Sequence, residues 1–190
     1  MEIILASQSP RRKEILSLLN IPFKIMVSDA DESIDKGLPA YFIAEKLSLQ
    51  KAAAVAKNVT SHALVIGADT LVVCDGEILG KPKDENDARN MLTRLSGREH
   101  SVITGVTVMD TKSAKSESFY VETKVYFSAL SEEEIESYVA TGDCNDKAGA
   151  YGIQSGAAKF IEKISGDYQN VVGLPLSRLY QVLKKEFNIF

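Results

Sequence analysis

Residue types that usually carry chemistry are scarce in this 190-residue chain. It has two histidines, His62 and His100, neither in metal-ligand spacing. There is no Gly-x-Ser-x-Gly elbow, so serine-hydrolase chemistry is not expected. Two cysteines, Cys74 and Cys144, lie far apart. They form neither a disulfide framework nor a zinc signature, and they suit a reducing cytoplasm. A Walker loop and a Gly-x-Gly-x-x-Gly turn are both missing, which removes the common ATPase and dehydrogenase signatures. No apolar run approaches the ~20 residues of a membrane span. The N-terminal apolar run is too short for a secretion signal and lacks its basic flank. A basic excess is missing too. Lys and Arg number 22 against 26 Asp and Glu, for a net charge of -4. That balance argues against a nucleic-acid partner. No internal repeat, low-complexity tract or linker interrupts the chain.

The rest is ordinary globular material, 45% hydrophobic and 25% charged. It suffices for one domain over residues 1–190, a size that buries roughly 70% of the unfolded surface. Ile3-Ile4-Leu5 reads as a buried strand and Pro22 to Val27 as a second. Pro39 opens a helix to about Lys57 with an apolar stripe of Ile43, Ala44, Leu47, Ala54 and Val55. Ala63 to Ala68 reads as a central strand ending at Asp69-Thr70. Asp75-Gly76 is a tight-turn signal between two short strands. A helix begins near Asp84 and closes at Gly97. Strands follow over 100–109 and 119–127. Ser131 and Glu134 form a capping box for a helix ending at Gly142. The segment from Asp143 to Ala158 is rich in glycine and alanine, and such loops are often functional. A strand over 160–164 and a last helix from Leu176 complete an α/β chain with mixed strand pairing.

One turn breaks a local rule. Ser9 is a natural N-cap and Pro10 suits the first helical position. The helix they open should favour acidic residues, because its N-terminus carries about half a positive charge. It begins instead with Arg11, Arg12 and Lys13. Either the turn is a solvated basic surface, or an anion neutralises it, as phosphates do at helix N-termini. Lys51 poses a similar choice. It lies four residues beyond Leu47, within the apolar stripe. It either snorkels past the core edge or points into a polar site. Asp69, after a buried strand, is either a turn-capping carboxylate or a ligand group at a sheet end. The acidic run Ser28-Asp29-Ala30-Asp31-Glu32 is either a solvated loop or a source of metal ligands. If Glu32, Asp69, Arg11, Arg12, Lys51 and Lys81 converged, carboxylates would hold Mg2+ and the cations would grip a polyphosphate.

The motifs together resemble a known family. Ser7-Gln8-Ser9-Pro10-Arg11-Arg12, Glu32, Lys51-Ala52, Gly67-Ala68-Asp69-Thr70 and Gly80-Lys81-Pro82 occur in order. Leu95-Ser96-Gly97, Thr104-Gly105-Val106 and Gly173-Leu174-Pro175-Leu176 follow. The set is similar to the Maf family of nucleoside triphosphate pyrophosphatases, first named for septum formation. The resemblance implies a mixed central β-sheet flanked by helices, in two lobes with a cleft, similar to inosine triphosphate pyrophosphatase. It implies hydrolysis of a nucleoside triphosphate to the monophosphate and pyrophosphate with a divalent cation, Mg2+ or Mn2+. By resemblance Asp69 is the catalytic proton acceptor, and Ser7, Arg11, Arg12, Glu32, Lys51 and Lys81 match the family's cleft residues. Within such a cleft Glu32 and Asp69 are expected to hold the metal, and Ser7, Arg11, Lys51 and Lys81 to bind phosphate. Arg12, Thr70 and Gln154 match the branch that acts on dTTP and UTP. A glutamine amide offers a donor and an acceptor, which suit the N3–H and a carbonyl of uracil or thymine. The loop departs from the family at one point, reading Gly152-Ile153-Gln154-Ser155-Gly156 where Gly-Ile-Gln-Gly is usual. Two alternatives stay open: the same chemistry on 7-methyl-GTP or another modified purine nucleotide, and a nucleotide-binding regulator of septum formation without turnover. A homodimer is also kept open.

Overall fold

In a computed structural model describing residues 1–27, 30 and 37–190, the first apolar run forms β1, Glu2–Leu5. The basic turn leads into α1, Pro10–Ser17, and then β2, Lys24–Ile25. Next come α2, Ala40–Ala56; β3, Ala63–Cys74; and β4, Glu77–Leu79. They precede α3, Glu85–Leu95; β5, Glu99–Asp110; and β6, Ser116–Phe127. The chain ends with α4, Glu132–Val139; β7, Ile161–Ser165; α5, Tyr168–Val172; and α6, Leu176–Phe187. The strands form a mixed sheet in the order β2-β1-β3-β5-β6-β7, with β4 on β3. β1 is parallel to both β2 and β3, whereas β3–β4 and β6–β7 are antiparallel. The uninterrupted apolar sequences of β1 and of the start of β3 suit strands buried on both faces, the usual habit of parallel strands.

Local signals behave as expected. The Ser9 hydroxyl accepts from the Arg12 N–H, and Pro10 stands in the first helical turn. Asp84 caps α3, and Ser131 with Glu134 closes a full capping box on α4. Several elements differ from the sequence reading. β3 does not stop at Asp69 but runs on to Cys74, because Leu71-Val72-Val73 continue the β-forming run without a glycine or proline. The second strand shrinks to two residues, since Pro22 lacks the N–H a ladder needs. α5 has five residues, too few to show a period.

The chain divides into two compact units. The first comprises Met1–Asp69, Thr104–Val121 and Gly173–Phe190. One of its apolar clusters joins Ile4 and Ala6 of the β1 end, Ala52 and Val55 of α2, and Ala63 and Val65 of β3. The second unit comprises Thr70–Ile103 and Glu122–Val172. Its core packs α3 (Ala88, Leu92, Leu95) and α4 (Ile135, Tyr138, Val139) against Val125 and Phe127 of β6.

His100 belongs to this second core, 2% exposed, with Nε2 2.7 Å from the Tyr151 hydroxyl. Phe127 and Tyr151 meet its ring edge-to-face. Among the described residues Nδ1 has no partner. Burial pushes its pKa from 6.5 down to about 4, against a small opposing pull from Glu99. The folded chain therefore holds this proton less tightly than the unfolded chain. The stability from a neutral His100 is complete above pH 6.5 and is lost as pH falls toward 4. At the low end the loss amounts to about 3 kcal/mol. Urea unfolding at pH 7 and pH 4.5 should show the decline, and His100→Gln should flatten it. An equal decline in that variant would assign the effect to other groups.

Candidate functional site

Helix α2 sits unusually close to two strands of its own unit. Ala44, Ser48 and Ala52 recur every four residues and so share one helix face. A Cβ added to Gly67 on β3 would lie 2.3 Å from the Ser48 carbonyl oxygen and 2.7 Å from the Ala52 nitrogen. On Gly105 of β5 it would lie 2.2 Å from the Ala44 carbonyl carbon and oxygen. Only glycine permits these approaches. They also explain two of the glycine motifs seen in the sequence. The buried face is Ile43, Ala44, Leu47, Ser48, Ala52 and Val55. Ser48 and Ala52 thus take the inner place expected of Ala54. The Ser48 hydroxyl is 2.8 Å from that of Thr107, which in turn is 2.8 Å from Ser118.

This seating aims Lys51. Asp69 stands two residues beyond Gly67, on the same face of β3 by strand alternation. The Lys51 Nζ lies 2.6 Å from Asp69 Oδ1, with the two side chains 14% and 13% exposed. Lys51 therefore does not snorkel to open solvent. Nor does Asp69 cap a turn, because it lies inside a continuous strand. Burying a charged pair is costly unless geometry compensates, so the pair is weak evidence for stability alone. Thr70, the next residue, falls on the opposite face of β3.

The basic turn is built in the same unit. The buried Ser7 hydroxyl accepts from the Ser9 N–H at 3.2 Å and from Arg12 Nη1 at 3.4 Å. Arg12 Nε donates to the Gly173 carbonyl at 2.8 Å. Gly173 has φ near +126°, a backbone region that favours glycine. The Gly-Leu-Pro motif thus orients Arg12, a link between residues 161 positions apart that no local pattern reveals. Arg11 and Arg12 are half-buried while Lys13 is exposed. The two arginines are not a freely solvated surface.

Lys81 and Gln154 are exposed and belong to the second unit. The Gly149 N–H donates to the Gly80 carbonyl at 3.0 Å, tying the Lys81 turn to the glycine-rich segment. Gly149 has φ +68°, and a Cβ there would meet the Val72 side chain at 2.9 Å. Glu32, the expected second metal ligand, lies outside the described residues, as do Ser28, Asp29 and Asp31.

Among the described residues no group of three His, Cys, Asp or Glu side chains could hold a metal ion. Asp69 nevertheless offers hard carboxylate oxygens. Mg2+ is commonly held by one or two carboxylates plus substrate phosphates and water. The donor chemistry fits a cation that arrives with a polyphosphate. Among the described residues no helix is long and apolar enough to cross a membrane.

The family profile described as "Maf-like protein" matches residues 2–186. A protein of Alkaliphilus metalliredigens named dTTP/UTP pyrophosphatase is 54% identical over 188 residues, covering 98% of this chain and 97% of that relative. A protein of Caldanaerobacter subterraneus subsp. tengcongensis with the same name is 49% identical over 189 residues, covering 100% and 91%. Among solved structures, a HAM1 protein from Coxiella burnetii superposes with a TM-score of 0.54 at 15% identity, over 97% of this chain and 99% of that one. That last likeness concerns the fold alone.

Proposed function

This chain belongs to the Maf family, and we propose that it is a nucleoside triphosphate pyrophosphatase, a hydrolase of acid anhydrides acting on dTTP and UTP. The observation that carries the reading is full-length similarity, near half identity, to proteins bearing that name. The buried Lys51–Asp69 pair and the oriented Arg12 support it from geometry.

The proposed reaction is attack of water on the α-phosphorus. The bond from that phosphorus to the α–β bridging oxygen breaks, pyrophosphate leaves with the bond electrons, and the attacking water gives up a proton. Asp69 positions that water or accepts the proton. Lys51, next to Asp69, holds its carboxylate in place and reaches phosphate oxygens. Ser7 and Arg11 bind phosphate from the β1–α1 turn, where backbone N–H groups and the helix dipole favour an anion. Lys81 is a further phosphate-binding residue in this reading. Arg12, Thr70 and Gln154 set the preference for a pyrimidine base. A divalent cation, Mg2+ or Mn2+, held by Asp69 and Glu32, would supply charge neutralisation on the phosphates when bound. Catalysis of this kind is mostly positioning and electrostatics. We place the reaction in the cytoplasm, in keeping with the buried free thiols Cys74 and Cys144.

The test is pyrophosphate release from dTTP, UTP, CTP, GTP and 7-methyl-GTP, with Mg2+, with Mn2+ and with a chelator. Turnover should be greatest on dTTP and UTP and should vanish with the chelator. Preference for 7-methyl-GTP would overturn the base assignment. Binding without turnover would overturn the enzyme reading. Undiminished turnover in chelator would remove the metal.

A further inference from the structure

The Gln154 turn is gripped from outside itself. Asp143, just after α4, receives three side-chain donors. Its Oδ2 accepts from the Ser155 hydroxyl at 2.6 Å and from the Tyr138 hydroxyl at 2.8 Å. Its Oδ1 accepts from Lys147 Nζ at 3.1 Å. Lys147 also donates to the Asp143 carbonyl and to Asp146 Oδ1. The lysine stem packs under the other end of the turn, where a Cβ on Gly152 would lie 2.7 Å from Lys147 Cε and from Ser155 Oγ. The turn itself closes with the Ser155 N–H on the Gly152 carbonyl. Both ends, 152 and 155, are therefore fixed, and exposed Gln154 lies between them. The three hydrogen bonds outweigh the upward push of burial and hold the Asp143 carboxyl below its ordinary value. The grip stays charged throughout the neutral range.

We propose that Asp143, acting through the Ser155 hydroxyl, is a positioning residue that holds Gln154 in register for the base and so sets discrimination among nucleoside triphosphates. This rests on the reading of Gln154 as the base-contacting side chain. Ser155 is where the loop departs from the usual Gly-Ile-Gln-Gly, and its hydroxyl supplies the shortest of the three bonds. A glutamine with several rotatable bonds reads a base well only if its backbone is fixed, because binding otherwise has to order it. A bracket that served stability alone would leave base preference unchanged when loosened.

The experiment compares kcat and KM for UTP, CTP and GTP in Ser155→Ala, Asp143→Asn and Gln154→Ala, and in the double variant Ser155→Ala/Gln154→Ala. Ser155→Ala removes one hydroxyl and should fold; Asp143→Asn is the stronger perturbation. We expect the UTP preference over CTP and GTP to fall about tenfold in Ser155→Ala and in Asp143→Asn, the size of one lost hydrogen bond to a charged group, and at least as far in Gln154→Ala. The loss should appear in KM for UTP, with kcat within a few-fold. In the Gln154→Ala background the serine change should add nothing further to the loss of preference. If Gln154→Ala collapses the preference while Ser155→Ala and Asp143→Asn leave it intact, the positioning role is wrong and the reading of Gln154 stands. If Gln154→Ala itself leaves the preference intact, that reading falls and the proposal with it. Fully additive effects would also overturn it, since they would show Ser155 acting by a separate route.

Discussion

Asp69→Asn should cut pyrophosphate release from UTP and dTTP by about 10²–10⁴-fold, the usual contribution of a positioned acid or base. The change keeps the size of the side chain and removes its charge. Three consequences converge. On the proposed mechanism the attacking water would lose its proton acceptor and a bound divalent cation would lose a ligand; Lys51 loses the carboxylate at 2.6 Å. Breaking a buried pair by removing one partner costs about 3–5 kcal/mol in a dry site. With about a seventh of the lysine side chain exposed, the penalty here should fall below that range. Activity should therefore fall much further than stability. Steady-state turnover beside urea unfolding separates the two, and a variant that turns over within a few-fold of the parent would take Asp69 out of the chemistry.

Gly67→Ala should destabilise the protein by about 3 kcal/mol or more, at the upper end for overpacking, because the new methyl meets backbone. The Ser48 carbonyl oxygen would stand 2.3 Å away, and a helix backbone cannot rotate aside as a side chain does. α2 would have to lift, carrying Lys51 away from Asp69, so turnover should fall in whatever fraction remains folded. Gly105→Ala should behave alike, since it meets the Ala44 backbone at 2.2 Å. Gly80→Ala is the control. Nothing lies within 4 Å of its added Cβ, and the change should stay within about 0.5 kcal/mol. Urea midpoints that did not separate Gly67→Ala from Gly80→Ala would show that α2 is not seated by these glycines.

The sequence by itself determined the features governed by neighbours a few residues apart. Ser9 and Pro10 start α1, Ser131 and Glu134 start α4, and Asp75-Gly76 turns β3 into β4, because caps and tight turns close within three or four residues. The charge anomaly of Arg11 and Arg12 was equally legible, since it concerns one helix end. What the sequence left as alternatives were contacts between distant segments. Lys51 could have reached water, and Asp69 could have ended its strand. The close approach of α2 at Gly67 and Gly105 decided the first, and the run of β3 on to Cys74 decided the second. The Gly173 carbonyl on Arg12 and the Ser155 hydroxyl on Asp143 likewise depend on where separate segments pack. Tertiary structure alone supplies these, because a hydrogen bond needs its partners within about 3 Å and no spacing along the chain specifies that distance between residues so far apart.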